Sequence, residues 1–580
     1  PRLPLTATGK LDRAAVRRLL AADVADPPTV REPAASPTSP DAAPPAADDA
    51  APARVTTPLA ELLLEEARAL LGRPDLTLEH NFFDAGGHSI LAFQLILRVG
   101  GALGVELELQ PLFEAADLAH WAKRVEIALA QPQGAQRPPV CSVPPSLRRP
   151  SVGQVEILAA ERYAGDSAAY TSVWCEHIRG DFDVDRFAAA LRASARRHET
   201  LRTRYQMGAG GATLVVDDDV VIQEERRTLP DAGVDEAVRV AEQACARPYR
   251  LDREQPVRLH VAHLPQHGRL VTVMVHHVAC DAVSFQVLLD ETWRRYEGKE
   301  TADPPAAPYR DFAAWQAEFV AGPAADEQRQ WWRAQLSGLS PLQVRTDLAH
   351  ADVRPRSGRR MPFRLDDALA EAVERQCREL RISPFTVLSA AYAVALDPYA
   401  TATGHVVGVP CTARGLPEFD HTVGYFVNTL PLRMRAPDDG TVREWLRDWG
   451  AECVRTFAHC DLPLPEISRV WDTAQRRGTR LSALFAVNYV GPQPDGDRSR
   501  VRLDPGPVKF DVLLTLDRAG RRWSGELVHD VGALDEEDAA DVLARFTEAA
   551  RRITAELDTD VQNLVRRTAP AAVAAAEFDL

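Results

Sequence analysis

From residue 27 to residue 54 the chain reads PPTVREPAASPTSPDAAPPAADDAAPAR, with prolines every few positions and no aromatic residue. Such a stretch cannot bury enough apolar surface to offset the entropy of ordering, so it reads as an extended tether. No core can run through it, and whatever folds does so on either side. The 580 residues also exceed what one core can serve, and predict roughly three or four structural units. With 45% hydrophobic and 26% charged residues the flanking sequence is that of ordinary globular protein. A net charge of -15 argues against nucleic acid or an anionic membrane as partner, since either needs a basic face. Eight scattered cysteines, with no C-x-x-C pair and no zinc-ligand spacing, suggest neither a metal nor a disulfide framework, and fit a reducing cytoplasm. No apolar run is long enough to span a bilayer, and the first residues are not a signal peptide.

Two segments concentrate the chemistry. Between about residues 57 and 130, helical patterns alternate with short breaks, which predicts a small helical bundle. Within it lies Asn81-Phe-Phe-Asp-Ala-Gly-Gly-His-Ser-Ile90, which places Ser89 at the opening of a helix after two glycines. A helix N-terminus offers free N–H groups and a positive dipole end to a phosphate on that serine. Taken alone, the same serine reads more readily as a plain N-cap. Ile90 and Phe93 follow on the same helix and form either an apolar docking patch or part of the core.

The second segment is Val275-His-His-Val-Ala-Cys-Asp-Ala-Val-Ser284. A β-rich run from Arg269 to Val275 precedes it and a helical pattern from Val283 follows, so it occupies a strand-to-helix turn. Adjacent strand side chains point to opposite faces, so His276 and His277 cannot both address one substrate. One of them is structural.

These motifs carry a resemblance. The Ser89 segment is similar to the pantetheine attachment site of a peptidyl carrier protein, although Ala85 stands where leucine is usual. The paired-histidine segment resembles the active-site signature of nonribosomal peptide synthetase condensation domains. Further ordered matches are Ser151-Val-Gly-Gln154, Arg197-His-Glu-Thr-Leu-Arg-Thr-Arg-Tyr205, Tyr309-Arg-Asp-Phe-Ala-Ala-Trp-Gln316, Val423-Gly-Tyr-Phe-Val-Asn-Thr-Leu430, His459-Cys-Asp-Leu-Pro-Leu-Pro-Glu466, Ser482-Ala-Leu-Phe485 and Lys509-Phe-Asp511. Pro4-Leu-Thr-Ala-Thr-Gly-Lys-Leu-Asp-Arg13 resembles the last core motif of adenylation domains, with Lys10 at the adenylate-contacting position. The resemblance thus implies an adenylation remnant at 1–25, a linker at 26–56, a carrier domain at 57–130, a linker at 131–150 and a condensation domain at 151–575. Pro1 would then be an internal boundary.

The implied fold is a four-helix carrier bundle followed by two α/β lobes like chloramphenicol acetyltransferase, about 151–320 and 325–575, with a tunnel between them. The implied cofactor is 4'-phosphopantetheine on Ser89, with no metal. The implied partners are a phosphopantetheinyl transferase, an upstream adenylation domain and a downstream carrier bearing the acceptor amine. In the family the second histidine faces the tunnel, which assigns the reactive role to His277 and a packed role to His276. Asp281 is implied to be structural, paired with an arginine for which Arg202 is the candidate, and Asn428 lies in a further active-site motif. A histidine near pKa 6.5 suits proton transfer from an amine. General-base help is worth about 10²- to 10⁴-fold, whereas alignment of two tethered reactants supplies roughly 10⁵ M or more of effective concentration. Positioning therefore weighs more than proton transfer.

Two departures stand out. Ala282 replaces the usual glycine, which narrows the space for a pantetheine arm and restricts positive φ, and Glu156 stands where arginine is common. His88 before the serine favours a donor of L configuration. The competing readings are an epimerisation domain, which lacks its Glu-Gly-His-Gly-Arg-type motif here, a cyclisation domain, which would carry paired aspartates, and a non-catalytic docking module of the same fold. The tail Ala571–Leu580 reads as a linker, a docking tail or an artificial end.

Overall fold

The computed structural model describes residues 58–568, apart from 88, 104, 106, 108–109, 130–136, 165–167, 209–210, 300–304, 343–356, 400–404, 435, 472–480, 490–495 and 505. The expectations for Lys10, the tether, His88 and the C-terminal tail lie outside the described residues. The chain divides into two compact units, 1–136 and 137–580.

In the first unit four helices, Pro58–Leu71, Ser89–Leu103, Gln110–Glu114 and Leu118–Leu129, bury Leu59, Leu63, Leu95, Val99 and Trp121 between them. The apolar residues recur at helical spacing, so each helix turns one stripe inward. The Asn81 amide fixes the approach to the second helix: its Nδ2 donates to the carbonyls of Ala115 and Ala116, both at 3.1 Å, and its Oδ1 accepts from the Phe83 N–H at 2.9 Å.

Among the described residues the second unit has thirteen strands: β1 Thr171–Ile178, β2 Thr203–Gly208, β3 Gly211–Val216, β4 Gln223–Thr228, β5 Val257–Leu264, β6 Gly268–His276, β7 Gly358–Arg364, β8 His405–Thr412, β9 Val427–Met434, β10 Ala483–Tyr489, β11 Arg498–Arg500, β12 Val512–Ala519 and β13 Arg522–Asp530. They form a five-stranded sheet in the order β11-β1-β6-β5-β4, a six-stranded sheet in the order β7-β13-β12-β10-β8-β9, and the hairpin β2-β3. The fold class is thus a helical carrier-type bundle followed by a two-lobed α/β domain. In the second lobe, helix Pro384–Ala395 is apolar over most of its circumference and every one of its residues is buried, as a central core helix requires. Ser383 caps it and Pro384 occupies its first position, where no N–H is missed.

The expected division near residue 320 is not clean. β11 belongs in sequence to the second lobe but pairs with β1 of the first, Glu176 opposite Arg500 and Ile178 opposite Arg498. The Arg498 Nε to Glu176 Oε2 distance is 2.7 Å, and the Arg498 guanidinium lies 3.4 Å over the Trp293 ring. The segment expected to link carrier and condensation domains is also partly packed from Arg137 onward. Arg137 meets Asp461 at 2.5 Å, the Trp315 indole donates to the Pro138 carbonyl, and the Val143 N–H donates to Asp311.

Candidate active site

β6 ends at His276, and a single tight turn over His277–Ala279 separates it from helix Ala282–Tyr296. The strand's alternation breaks between the two histidines and sends their rings to different surroundings. His276 is 1% exposed. Its Nδ1 accepts from the Val278 N–H at 3.1 Å, which leaves Nε2 to carry the proton donated to Glu161 Oε1 at 2.6 Å. Both nitrogens are committed, so this ring is structural.

His277 is only partly buried. Its backbone N–H donates to the Tyr170 carbonyl at 2.8 Å, and its Nδ1 is buried with no hydrogen-bond partner among the described residues. Burial holds the imidazole pKa well below its ordinary value, and the charges of Lys509 and then His276 lower it further. The ring is neutral at physiological pH. Lys509 lies 4.6 Å over the Tyr170 ring, and burial brings its ammonium down to about 7 against the opposing pull of Glu161. The Tyr425 ring stands edge-on to His277 at 6.3 Å.

Asp281 is fully buried and caps the following helix by accepting from the Ser284 N–H at 2.7 Å. Its other oxygen accepts from the Phe426 N–H at 2.9 Å. Its cationic partner is Arg414, at 3.4 Å, and not Arg202. Arg202 instead donates to the Asp217 carbonyl, because it belongs to the turn feeding β2 and points along that hairpin. Arg414 also donates to the Phe419 carbonyl and to Ser284 Oγ, and stacks 4.0 Å from the Phe426 ring. Asp281 therefore ties the histidine turn to the 414–426 loop of the other lobe.

Four of the remaining sequence motifs, those of Gln154, Thr200, Tyr309 and Val423–Tyr425, meet at the same seam. Gln154 donates to the Val278 carbonyl, Thr200 Oγ1 to that of Val423, and the Tyr309 hydroxyl to that of Tyr425. Gly424 is required by this approach, since a Cβ there would lie 2.0 Å from the Tyr309 ring. Asn428 uses its whole amide at a distance from the histidines: Nδ2 donates to the carbonyls of Cys460 and Leu462, and Oδ1 accepts from the N–H of Leu464. Ala282 is exposed at the first helical position, and its φ is negative, so no glycine is needed there and the anticipated backbone restriction does not arise. Arg414, Glu161, Lys509 and Tyr425 were not singled out from sequence.

In the first unit Ser89 begins a fifteen-residue helix with no acidic residue in its first turn. The turn before it needs both glycines. Gly86 has φ +108°, and a Cβ on Gly87 would lie 2.4 Å from the Phe82 ring. A first turn without an acidic residue, at the free N–H groups of a helix start, suits a phosphate. The side chains of Ser89, Ile90 and Phe93 are outside the described residues. Among the described residues no group of three or more His, Cys, Asp or Glu could hold a metal, and no helix is long and apolar enough to cross a membrane.

Residues 61–125 match the family model for the phosphopantetheine attachment site, which implies a covalently carried phosphopantetheine. Residues 151–568 match the condensation domain model. Among curated relatives, a linear gramicidin synthase of Brevibacillus parabrevis is 28% identical over 530 residues, covering 87% of this chain and 10% of that protein. The probable non-canonical nonribosomal peptide synthetase CymA of Salinispora arenicola is 27% identical over 579 residues, 96% of this chain and 7% of that protein. The chain thus spans a tenth or less of these relatives. Among solved structures, the X-domain in complex with OxyB from teicoplanin biosynthesis aligns with a TM-score of 0.64 at 20% identity, covering 74% of this chain and 98% of that one. The condensation domain of the monacolin K polyketide synthase MokA aligns at 0.62 and 19% identity, covering 71% and 98%. These last two likenesses speak to the fold alone. With residues 151–568 of its larger unit matched, this chain belongs to the condensation domain family of nonribosomal peptide synthetases, preceded by a phosphopantetheine-bearing carrier domain.

Proposed function

We propose that the chain carries an acyl or peptidyl group on Ser89 and forms an amide from it by attack of an amine held on a downstream carrier. The observation that supports this most directly is the difference between the two histidines: His276 has both nitrogens committed, while the Nδ1 of partly buried His277 has no hydrogen-bond partner among the described residues. Phosphopantetheine on Ser89 supplies a thiol for thioester chemistry and a flexible arm. His277 accepts a hydrogen bond from the incoming amine and takes its proton as the N–C bond forms and the C–S bond breaks. It then returns that proton to the departing thiolate, so no net proton is gained. Its depressed pKa makes it a weak base, so alignment of the reactants contributes more than proton removal.

Asp281, Arg414 and Asn428 hold the frame, and in this reading Ile90 and Phe93 supply the carrier's docking patch. A phosphopantetheinyl transferase, an upstream adenylation domain and an acceptor carrier complete the set of partners. The donor is of L configuration, on the strength of His88. The test is to load the carrier with matched L- and D-terminated peptidyl groups and quantify amide product on an aminoacyl acceptor carrier. Product from the L series supports the reading, and product from the D series alone corrects the donor type. An L donor recovered as its D epimer marks an epimerase. No product from either favours a recruitment module, a role the likeness to an X-domain crystallised with OxyB keeps in view.

A further inference from the structure

The loop between β11 and β12 carries Lys509 and is fastened on three sides to the second lobe. The Gly358 N–H of β7 donates to the Gly506 carbonyl at 3.1 Å, and the Asp511 N–H donates to the Ser482 carbonyl, just ahead of β10, at 2.8 Å. The Asp511 carbonyl accepts from the N–H of Asp530, the last residue of β13, at 2.9 Å. The backbone around Lys509 is therefore set by the six-stranded sheet. Its side chain leaves that lobe and places the ammonium 4.6 Å over the ring of Tyr170, the residue before β1 in the first lobe.

Tyr170 is the residue from which the histidine turn hangs. Its carbonyl accepts the His277 N–H at 2.8 Å, and the next residue, Thr171, is the cross-strand partner of His276. The Tyr170 and His276 rings lie 6.4 Å apart, and His276 is tied in turn to Glu161 at 2.6 Å. Lys509 and Tyr170 are both partly buried, and a cation over an aromatic face gains strength as water is withdrawn from it. With the loop held on its far side, the attraction restrains Tyr170, and through the Tyr170 carbonyl it restrains the main chain of His277. The Asp281–Arg414 pair secures the helix end of the same turn, and Lys509 secures the strand end.

We propose that Lys509 is a positioning residue of the condensation reaction, gripping the Tyr170 ring from the second lobe and so fixing the strand end that carries His277. The inference rests on the reading of His277 given above. A reacting group displaced by about 1 Å loses as much as about 10²-fold in rate, so a contact that touches no substrate still registers in turnover.

The test uses the full chain in single turnover with saturating acceptor carrier, on the pH-independent plateau, for wild type, Lys509→Met, Lys509→Arg, Tyr170→Leu and Lys509→Met combined with Tyr170→Leu. Lys509→Met is expected to slow transfer by about 5- to 30-fold at unchanged half-saturation by the acceptor, the span of a cation–π contact removed from water. Lys509→Arg keeps a cation on the ring and is expected to recover most of that loss. The combined variant should be no slower than the slower single one, because both remove the same contact. Losses that multiply in the combined variant, or an arginine no better than methionine, overturn the inference. Amide hydrogen exchange supplies a readout that needs no turnover. Lys509→Met is expected to speed exchange in the peptide spanning His277 and to leave the core helix Pro384–Ala395 as in wild type. Unchanged exchange at His277, or equal acceleration in both places, overturns the inference. If wild type condenses nothing, the condensation reading fails, and exchange alone decides whether Lys509 holds the turn.

Discussion

Asp281 and Arg414 stand 3.4 Å apart, each 1% exposed at the side chain, although 133 residues separate them in the chain. The pair joins the end of the histidine turn in one lobe to the loop after β8 in the other. Removing one member of a buried pair leaves an uncompensated charge, and costs about 3–5 kcal/mol. Asp281→Asn and Arg414→Met are therefore expected to lower the unfolding free energy of the second unit by that amount, as read from urea transitions. Arg202→Ala, outside the pair, should cost less than either.

Lys509 and His277 repel each other when both are charged, so the lysine keeps the imidazole neutral to lower pH. In the proposed reaction the acid limb of the single-turnover rate lies well below pH 6.5. Lys509→Met removes one positive neighbour, raises the His277 pKa and moves that limb upward. A pH–rate profile of both proteins checks the direction of the shift.

Gly424 abuts the Tyr309 ring, whose hydroxyl donates to the Tyr425 carbonyl at 2.6 Å. Gly424→Ala should displace that ring and destabilise the seam by about 1–3 kcal/mol, the usual cost of overpacking. Loss of soluble protein or a lowered thermal midpoint is the expected reading.

Ala282 sits exposed at the start of its helix with negative φ. Ala282→Gly should change stability by less than about 1 kcal/mol, in line with glycine's intrinsic penalty in helices. Turnover within a few-fold of the parent is expected, as measured with the same donor and acceptor.

The sequence made the bundle around Ser89 and the strand-to-helix turn around His276 and His277 legible, because both rest on local periodicity and turn chemistry. It also ordered the motifs that meet at the seam. It did not reveal which arginine answers Asp281, since the choice depends on how β8 and its following loop fold back across the lobes. Arg202 lay in a recognised motif and Arg414 did not. The return of β11 to the first sheet was hidden for a similar reason: three residues of strand carry little pattern of their own. Lys509 was noticed only as part of a segment, because its position over Tyr170 is set by contacts remote in sequence.

The most direct test of the central claim is a single-turnover transfer from peptidyl-loaded carrier to an aminoacyl acceptor carrier, followed by intact mass, for wild type, Ser89→Ala and His277→Ala. The account predicts product on the acceptor with wild type, none with Ser89→Ala, and a rate reduced by about 10²-fold or more with His277→Ala, the lower range for lost proton-transfer help. Undiminished transfer by His277→Ala, or product formed without Ser89, would contradict it.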